Sequence, residues 1–253
     1  MDYAAQGKSG TYEEIAEETG IPMGKSTGKV PAILDYARGM GLVELEDSGG
    51  ASVKKPILTS FGRSVYLEDH MLGEAITQWI AHLHLCLPDS GAISWHIAFG
   101  KGRSVIGSTF TLEQLEDYLV AECGGGNRRT GPLVRTYLDD AALGRASVLS
   151  QKGGTVVRNR APLLDHYALA YTAFVLSLMD RAFAGSDQVT VTDLNKNTSW
   201  FDTCLWGSTE VERALSLMES TGYVAIDRLI SPWILEKRSD ALHVWARIYD
   251  DLA

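Results

Sequence analysis

The order of local signals between Thr11 and Thr59 constrains this chain more than any bulk property. Thr11 and Glu14 form a capping box, in which side chains and backbone amides satisfy one another at a helix start. Ile15, Ala16 and Thr19 share one face of the helix that follows, and Gly20, Ile21 and Pro22 supply a tight turn. A second helical pattern places Val30, Ile33, Leu34 and Ala37 at the spacing of a core-facing stripe and stops near Gly39 and Gly41. Pro31 interrupts it; an interior proline costs ~3 kcal/mol, so this helix begins around residues 28–30 or bends there. Residues 42–46 and 56–59 read as short strands around Ser48, Gly49, Gly50 and Ser52, which suits a hairpin. Helix, sharp turn, helix and hairpin is the order of a winged helix-turn-helix, whose second helix enters the major groove of DNA.

The rest of the chain reads as mainly α. Residues 72–85 put Ile76, Trp79, Ile80 and Leu83 on one helical face, and Pro88 ends the run. Thr111 and Gln114 form a second capping box ahead of Leu112, Leu115 and Leu119; Gly124, Gly125 and Gly126 then break the pattern. Residues 163–183 are apolar on most sides, as in a helix buried within a domain. Val211, Ala214, Leu215 and Met218 form another helical stripe, closed by Gly222, and residues 223–230 and 233–235 resemble two strands around Ser231 and Pro232. A closing helix is expected over 241–252. The expected architecture is a winged helix-turn-helix at 1–66, a central helical bundle at 67–185, and a second winged-helix-like unit at 186–253, with no residue-level repeat to support the last.

Charge narrows the partners. The net charge of -9 argues against a protein that coats nucleic acid indiscriminately. Residues 127–160 nevertheless hold Arg128, Arg129, Arg135, Arg145, Lys152, Arg158 and Arg160 against only Asp139 and Asp140, so a local basic surface competes with the reading of an ordinary solvated face. The longest apolar run, 168–179, falls short of the ~20 residues that span a bilayer. Cys86, Cys123 and Cys204 are odd in number and scattered, which suits a reducing compartment, and no charged-then-apolar leader opens the sequence. A cytoplasmic protein without a membrane partner is expected.

Chemistry-bearing patterns are sparse. Residues 20–26 read G-I-P-M-G-K-S but have three residues between the glycines where a phosphate-binding loop needs four, and they follow an acidic helix instead of a strand. Lys25, Ser26, Thr27 and Lys29 read better as phosphate or base contacts at the start of the recognition helix, with Arg38, Arg128 and Arg129 as further DNA contacts. His82, His84, Cys86 and His96 crowd one region, but only His82 and Cys86 have the spacing that puts two ligands on one helical face. Packing beside Trp79 and Trp95 favours hydrogen-bonded core residues. Glu68, Asp69 and Glu74 are the candidate ligands for Mg2+, which prefers oxygen; the competing reading makes Asp69 a helix cap. No hydrolytic triad or nuclease carboxylate motif stands out.

Three stretches carry a resemblance. The run I-P-M-G-K-S-T-G-K-V-P-A-I-L-D-Y-A-R-G-M-G-L-V over 21–43, the run L-T-S-F-G-R-S-V-Y-L-E-D-H-M-L over 58–72, and the pair I-T-Q-W-I-A-H-L-H-L (76–85) and W-H-I-A-F (95–99) resemble the SspB-like family of DNA phosphorothioation proteins in antiphage defence, long known only as a domain of unknown function. Gly24 and Lys25 fall on the family's G-K, and Asp69, Thr77, Trp79, His82 and Trp95 on its later motif. The chain departs from the pattern at Ser26 and Thr27, where the family has Asn and Met, and lacks its histidine-, phenylalanine- and arginine-containing opening. The resemblance implies a magnesium-dependent DNA nickase that works on double-stranded DNA with an ATPase, a sulfur-transfer subunit and, indirectly, a cysteine desulfurase. Two other readings stand beside it: a non-catalytic winged-helix DNA-binding adaptor or regulator that recruits the modification subunits, and a protein-interaction scaffold.

Overall fold

The computed structural model describes residues 1–23, 28–46, 52–124 and 130–252. The described chain is mainly helical with three small antiparallel sheets. In the first third, helix α1 (Asp2–Ala5) leads to Gly10, which exchanges backbone hydrogen bonds with Lys54, and then to α2 (Tyr12–Thr19). The capping box forms as expected: Glu14 N–H donates to the Thr11 hydroxyl at 3.3 Å, and Thr11 N–H to the Glu14 carboxylate at 2.7 Å. Gly20 ends α2 in the left-handed region, φ 69°. Helix α3 (Lys29–Gly39) starts late, with Gly28 as its N-cap, so Pro31 is its third residue. No intrahelical bond is lost there, because the first four N–H groups of a helix lack intrahelical acceptors. Strands β1 (Val43–Glu46) and β2 (Lys55–Leu58) pair in register Val43 to Leu58 and Glu46 to Lys55. The intervening Ser48, Gly49 and Gly50 lie outside the described residues.

The middle third departs from the expected helical bundle. Helices α4 (Ser60–Glu68) and α5 (Ala75–Leu85) are followed by α6 (Ile93–Trp95), which runs into a π-helical turn over His96–Gly100. Strand β3 (Thr109–Thr111), helices α7 (Leu112–Cys123) and α8 (Thr130–Leu138), and strands β4 (Leu149–Lys152) and β5 (Thr155–Arg158) then build a three-stranded sheet in the order β3-β5-β4. After α9 (Ala168–Ala182) the plan recurs: β6 (Gln188–Thr190), α10 (Val191–Thr198), α11 (Trp200–Thr203), α12 (Ser208–Glu219), β7 (Val224–Asp227) and β8 (Ile234–Lys237), with sheet order β6-β8-β7. The chain closes with α13 (Ala241–Trp245). This helix is shorter than the expected 241–252, because from Arg247 onward the backbone hydrogen bonds span three residues instead of four.

A short strand or bridge, helices and a hairpin thus occur three times, with two helices in each of the first two units and three in the last, and each time the first segment pairs with the second strand of the hairpin or, in the first unit, with the residue before it. A residue-level repeat accompanies them, against expectation. Thr11, Thr111 and Thr190 each cap the first helix of a unit; Glu14, Gln114 and Asp193 stand three residues on and donate their backbone N–H to the cap; Ile15, Leu115 and Leu194 come next and are buried. A threonine N-cap contributes ~1 kcal/mol, and the buried residue that follows fixes the helix against its sheet.

One continuous apolar core runs from Ala4 to Ile248 through all three units, with a small satellite of Tyr3, Ile15, Ala16 and Val30. Helices α5 and α9 lie at its centre and are buried on nearly every side. Tyr171 and Phe174 of α9 pack ring against ring on Trp206 and Trp200. Glycine is required at Gly62, where a Cβ would sit 1.7 Å from the Leu42 carbonyl oxygen, so α4 can lie on the turn before β1 only without a side chain there. Among the described residues no helix is long and apolar enough to cross a membrane.

Candidate nucleic-acid interface and carboxylates

Helix α3 lies at the surface. Val30 and Gly39 are buried and Leu34 and Ala37 half-buried, whereas Lys29, Ala32, Asp35, Tyr36 and Arg38 are exposed. Ile33, expected in the core-facing stripe, is 48% exposed instead: the small satellite core beneath α3 is filled by Val30, Ile15 and Tyr3. Lys29 stands at the first turn and Arg38 at the last, where Arg38 reaches Asp35 at 3.7 Å. The neighbouring α2 is acidic, with Glu13, Glu14, Glu17 and Glu18 all exposed; Glu14 is engaged in its cap and Glu18 pairs with Lys8. Gly24, Lys25, Ser26, Thr27, Arg128 and Arg129 fall outside the described residues.

The basic segment after residue 127 divides into surface and core. Arg158, counted in sequence among surface charges, is buried at 4% exposure. Its guanidinium donates to the carbonyls of Phe99 (2.7 Å) and Ala98 (3.3 Å) in the π-helical turn and lies 5.0 Å from the centre of the Phe99 ring. Burial pulls its pKa down to about 10. Alternation along β5 carried the signal, since Val156 and Arg158 share the inward face. Arg160 pairs with Glu210, and Arg145 donates to the Gly73 carbonyl. Arg135 on α8 and Lys152 at the tip of the β4-β5 hairpin are exposed.

The candidate magnesium ligands do not converge. Glu68 ends α4, and Asp69 is buried at 9% exposure with both carboxylate oxygens engaged, accepting from the N–H groups of Gly73 (2.6 Å) and Glu74 (3.0 Å). Asp69 therefore stands at the C-cap position of α4, and its carboxylate ties down the turn that leads to α5. Among the described residues no three His, Cys, Asp or Glu side chains are grouped to hold a metal ion, so Glu68, Asp69 and Glu74 do not fit Mg2+ as they stand.

The histidine cluster is core. His82 Nδ1 lies 2.6 Å from the Tyr137 hydroxyl, the Cys86 sulfur is 3.6 Å from the same nitrogen, and His96 Nδ1 donates to the Cys86 carbonyl at 2.9 Å. His84 stacks on Phe61 and meets Phe174 edge-on. Burial, reinforced by Arg158 beside His82 and Arg181 beside His84, pushes both histidines down to about 3, so they are neutral near pH 7.

No protein-family model matches the chain, and no curated protein matches it significantly. Two solved structures share its fold. A magnesium ion-bound SspB crystal structure superposes with a TM-score of 0.66 over 99% of this chain and 87% of that one, at 15% identity. A second SspB crystal structure gives 0.69 over 95% of this chain and 78% of that one, at 16% identity.

Proposed function

We propose that this protein is a DNA-binding component of a bacterial DNA phosphorothioation system, acting in antiphage defence as a magnesium-dependent nickase. The carrying observation is that fold likeness to SspB extends over nearly the whole chain. Exchange of a phosphate oxygen for sulfur needs access to one strand, and a nick provides it. The repeated order of strand or bridge, helices and hairpin supports reading each unit as a winged helix, with 1–66, 67–185 and 186–253 as the working divisions and the helix before each hairpin as the one offered to the major groove. Lys25, Lys29 and Arg38 are the proposed contacts of the first unit. An ATPase and a sulfur-transfer subunit are the proposed partners, a cysteine desulfurase acts upstream of them, and the cytoplasm is the proposed compartment.

A second reading is favoured by the carboxylates. Asp69 is engaged with backbone amides, and the described residues hold no metal-binding group, which suits a non-catalytic adaptor that binds DNA and recruits the modification subunits. One assay separates the two. Supercoiled plasmid incubated with the protein and Mg2+, alone and with its partners, becomes open circles under the first reading, and chelation stops the conversion. Binding with persistent supercoils in every combination supports the adaptor and refutes the nickase.

A further inference from the structure

A cavity of about 320 Å³ opens where the first unit meets α5, α9 and α13. Arg38 and Arg181 stand exposed at its mouth, with Glu44 as the one carboxylate among its described walls. Most of the polar groups on those walls are donors with bonds to spare. Arg181 gives Nε and one terminal nitrogen to Asp89, which leaves its other terminal nitrogen without a partner among the described residues. Arg38 lies 3.7 Å from Asp35, too far for a hydrogen bond. Trp245 Nε1–H donates to the Ser177 hydroxyl at 2.8 Å, and the Ser177 proton itself has no acceptor among the described residues. Neither ring nitrogen of His84 has a hydrogen-bond partner there, and its Nε2 is buried. Helix α4 also starts on this wall. The Thr59 hydroxyl takes the Gly62 N–H at 2.8 Å, which leaves those of Ser60 and Phe61 without an acceptor.

We infer that this cavity binds a phosphate monoester of small-molecule size, its phosphoryl oxygens held by Arg38 and Arg181 at the mouth and by Ser177, His84 and the first turn of α4 further in. A wall of unspent donors selects a ligand of acceptors, and guanidinium groups beside a helix start favour a negative one. The neutral His84 ring keeps one N–H in either tautomer, so it donates as well. The charges agree. Asp89 offsets part of the Arg181 charge while fixing that side chain in place, and the walls themselves carry two cations to one carboxylate. Glu44, the acceptor at the rim, matches a hydroxyl on the organic part of the ester. The volume stands at the lower end of small-ligand pockets, roughly 300–1,000 Å³, which admits one phosphate with one small group and excludes a duplex. The inference goes beyond the DNA-binding reading and stands without it, because Arg181, His84 and Ser177 belong to no proposed DNA contact.

The test is isothermal titration calorimetry of the full chain with inorganic phosphate and with ribose 5-phosphate, in chloride buffer of matched ionic strength. Wild type is expected to bind both, the ester more tightly. R38Q/R181Q is expected to bind each at least about tenfold more weakly, as the loss of two charge-assisted hydrogen bonds requires. Both arginines are exposed, and an unchanged circular dichroism melt shows that the variant folds. K152Q, a change of charge outside the cavity, is expected to match wild type. Unchanged binding in R38Q/R181Q, an equal loss in K152Q, or no saturable heat with either ligand overturns the inference. Displacement of the ester by a duplex without terminal phosphates would assign the cavity to backbone phosphates and overturn the monoester assignment. If the ester binds and no duplex binds at low salt, the DNA-binding reading fails alone and this site stands.

Discussion

Removing the Arg158 guanidinium should cost more stability than removing any exposed cation of this protein. Arg158→Ala removes the side-chain donors from the Phe99 and Ala98 carbonyls, which now accept at 2.7 and 3.3 Å in a buried turn. Each orphaned acceptor costs about 1–3 kcal/mol. Loss of the stem above the Phe99 ring adds a cavity. The guanidinium does not itself contribute all of this, since its burial is unfavourable, as its lowered pKa shows. A net loss of about 3 kcal/mol is expected, within the range seen when a buried charge network is broken. Arg158→Met, which keeps the stem and restores apolar packing, should lose less than Arg158→Ala. Arg135→Ala, on the surface, should leave stability unchanged. Urea unfolding followed by tryptophan fluorescence reads the difference as a shift in midpoint at constant slope. A loss below about 1 kcal/mol for Arg158→Ala would refute the argument that this side chain, and not the sheet alone, holds the middle unit to the π-helical turn.

Two further outcomes follow from the core. His82 and His84 titrate at about 3 in the folded chain against 6.5 unfolded, so below pH 6.5 the unfolded state takes up the protons and stability falls; at pH 5 each histidine accounts for roughly 2 kcal/mol of loss relative to pH 7. Unfolding curves at pH 7 and 5 should show this loss, shrinking in His84→Phe; equal stability at the two pH values would exclude the neutral buried histidines. Gly62→Ala should cost at least about 2 kcal/mol, because its methyl group meets the backbone carbonyl of Leu42 and cannot be relieved by a side-chain rotation; an unchanged melting temperature would show that α4 moves freely against that turn.

Much of this fold was legible where local chemistry repeats over several residues. The Thr11 capping box, the left-handed Gly20 and the late start of α3 followed from side chains that act on their own backbone. The middle sheet was not legible by the same means. Strand β3 is three residues long and its last residue, Thr111, is also a helix cap, so the helix signal masked the strand. Strands β4 and β5 carry Lys152 and Arg158, which read as solvated charge until β5, paired between β3 and β4, turns Arg158 inward. The same pairing explains why a threefold plan escaped notice, although threonine, then an acid or amide, then isoleucine or leucine recurs at 11, 111 and 190. For the candidate site, Lys29 and Arg38 were legible as exposed cations, and the capping role of Asp69 was one of two readings. Composition alone could not choose between them, because a carboxylate accepts amide protons and coordinates cations with the same lone pairs.

The central placement of α5 and α9 has a practical consequence. Each unit borrows its floor from helices that also serve its neighbours, so dissecting the chain at the unit boundaries would lay open the faces around Trp79 and Phe174. Fragments made to study one unit in isolation should precipitate, and contributions to ligand binding are better apportioned by point substitution in the intact polypeptide. Three modules drawn to one plan are here soldered into a body that samples its surroundings as a whole.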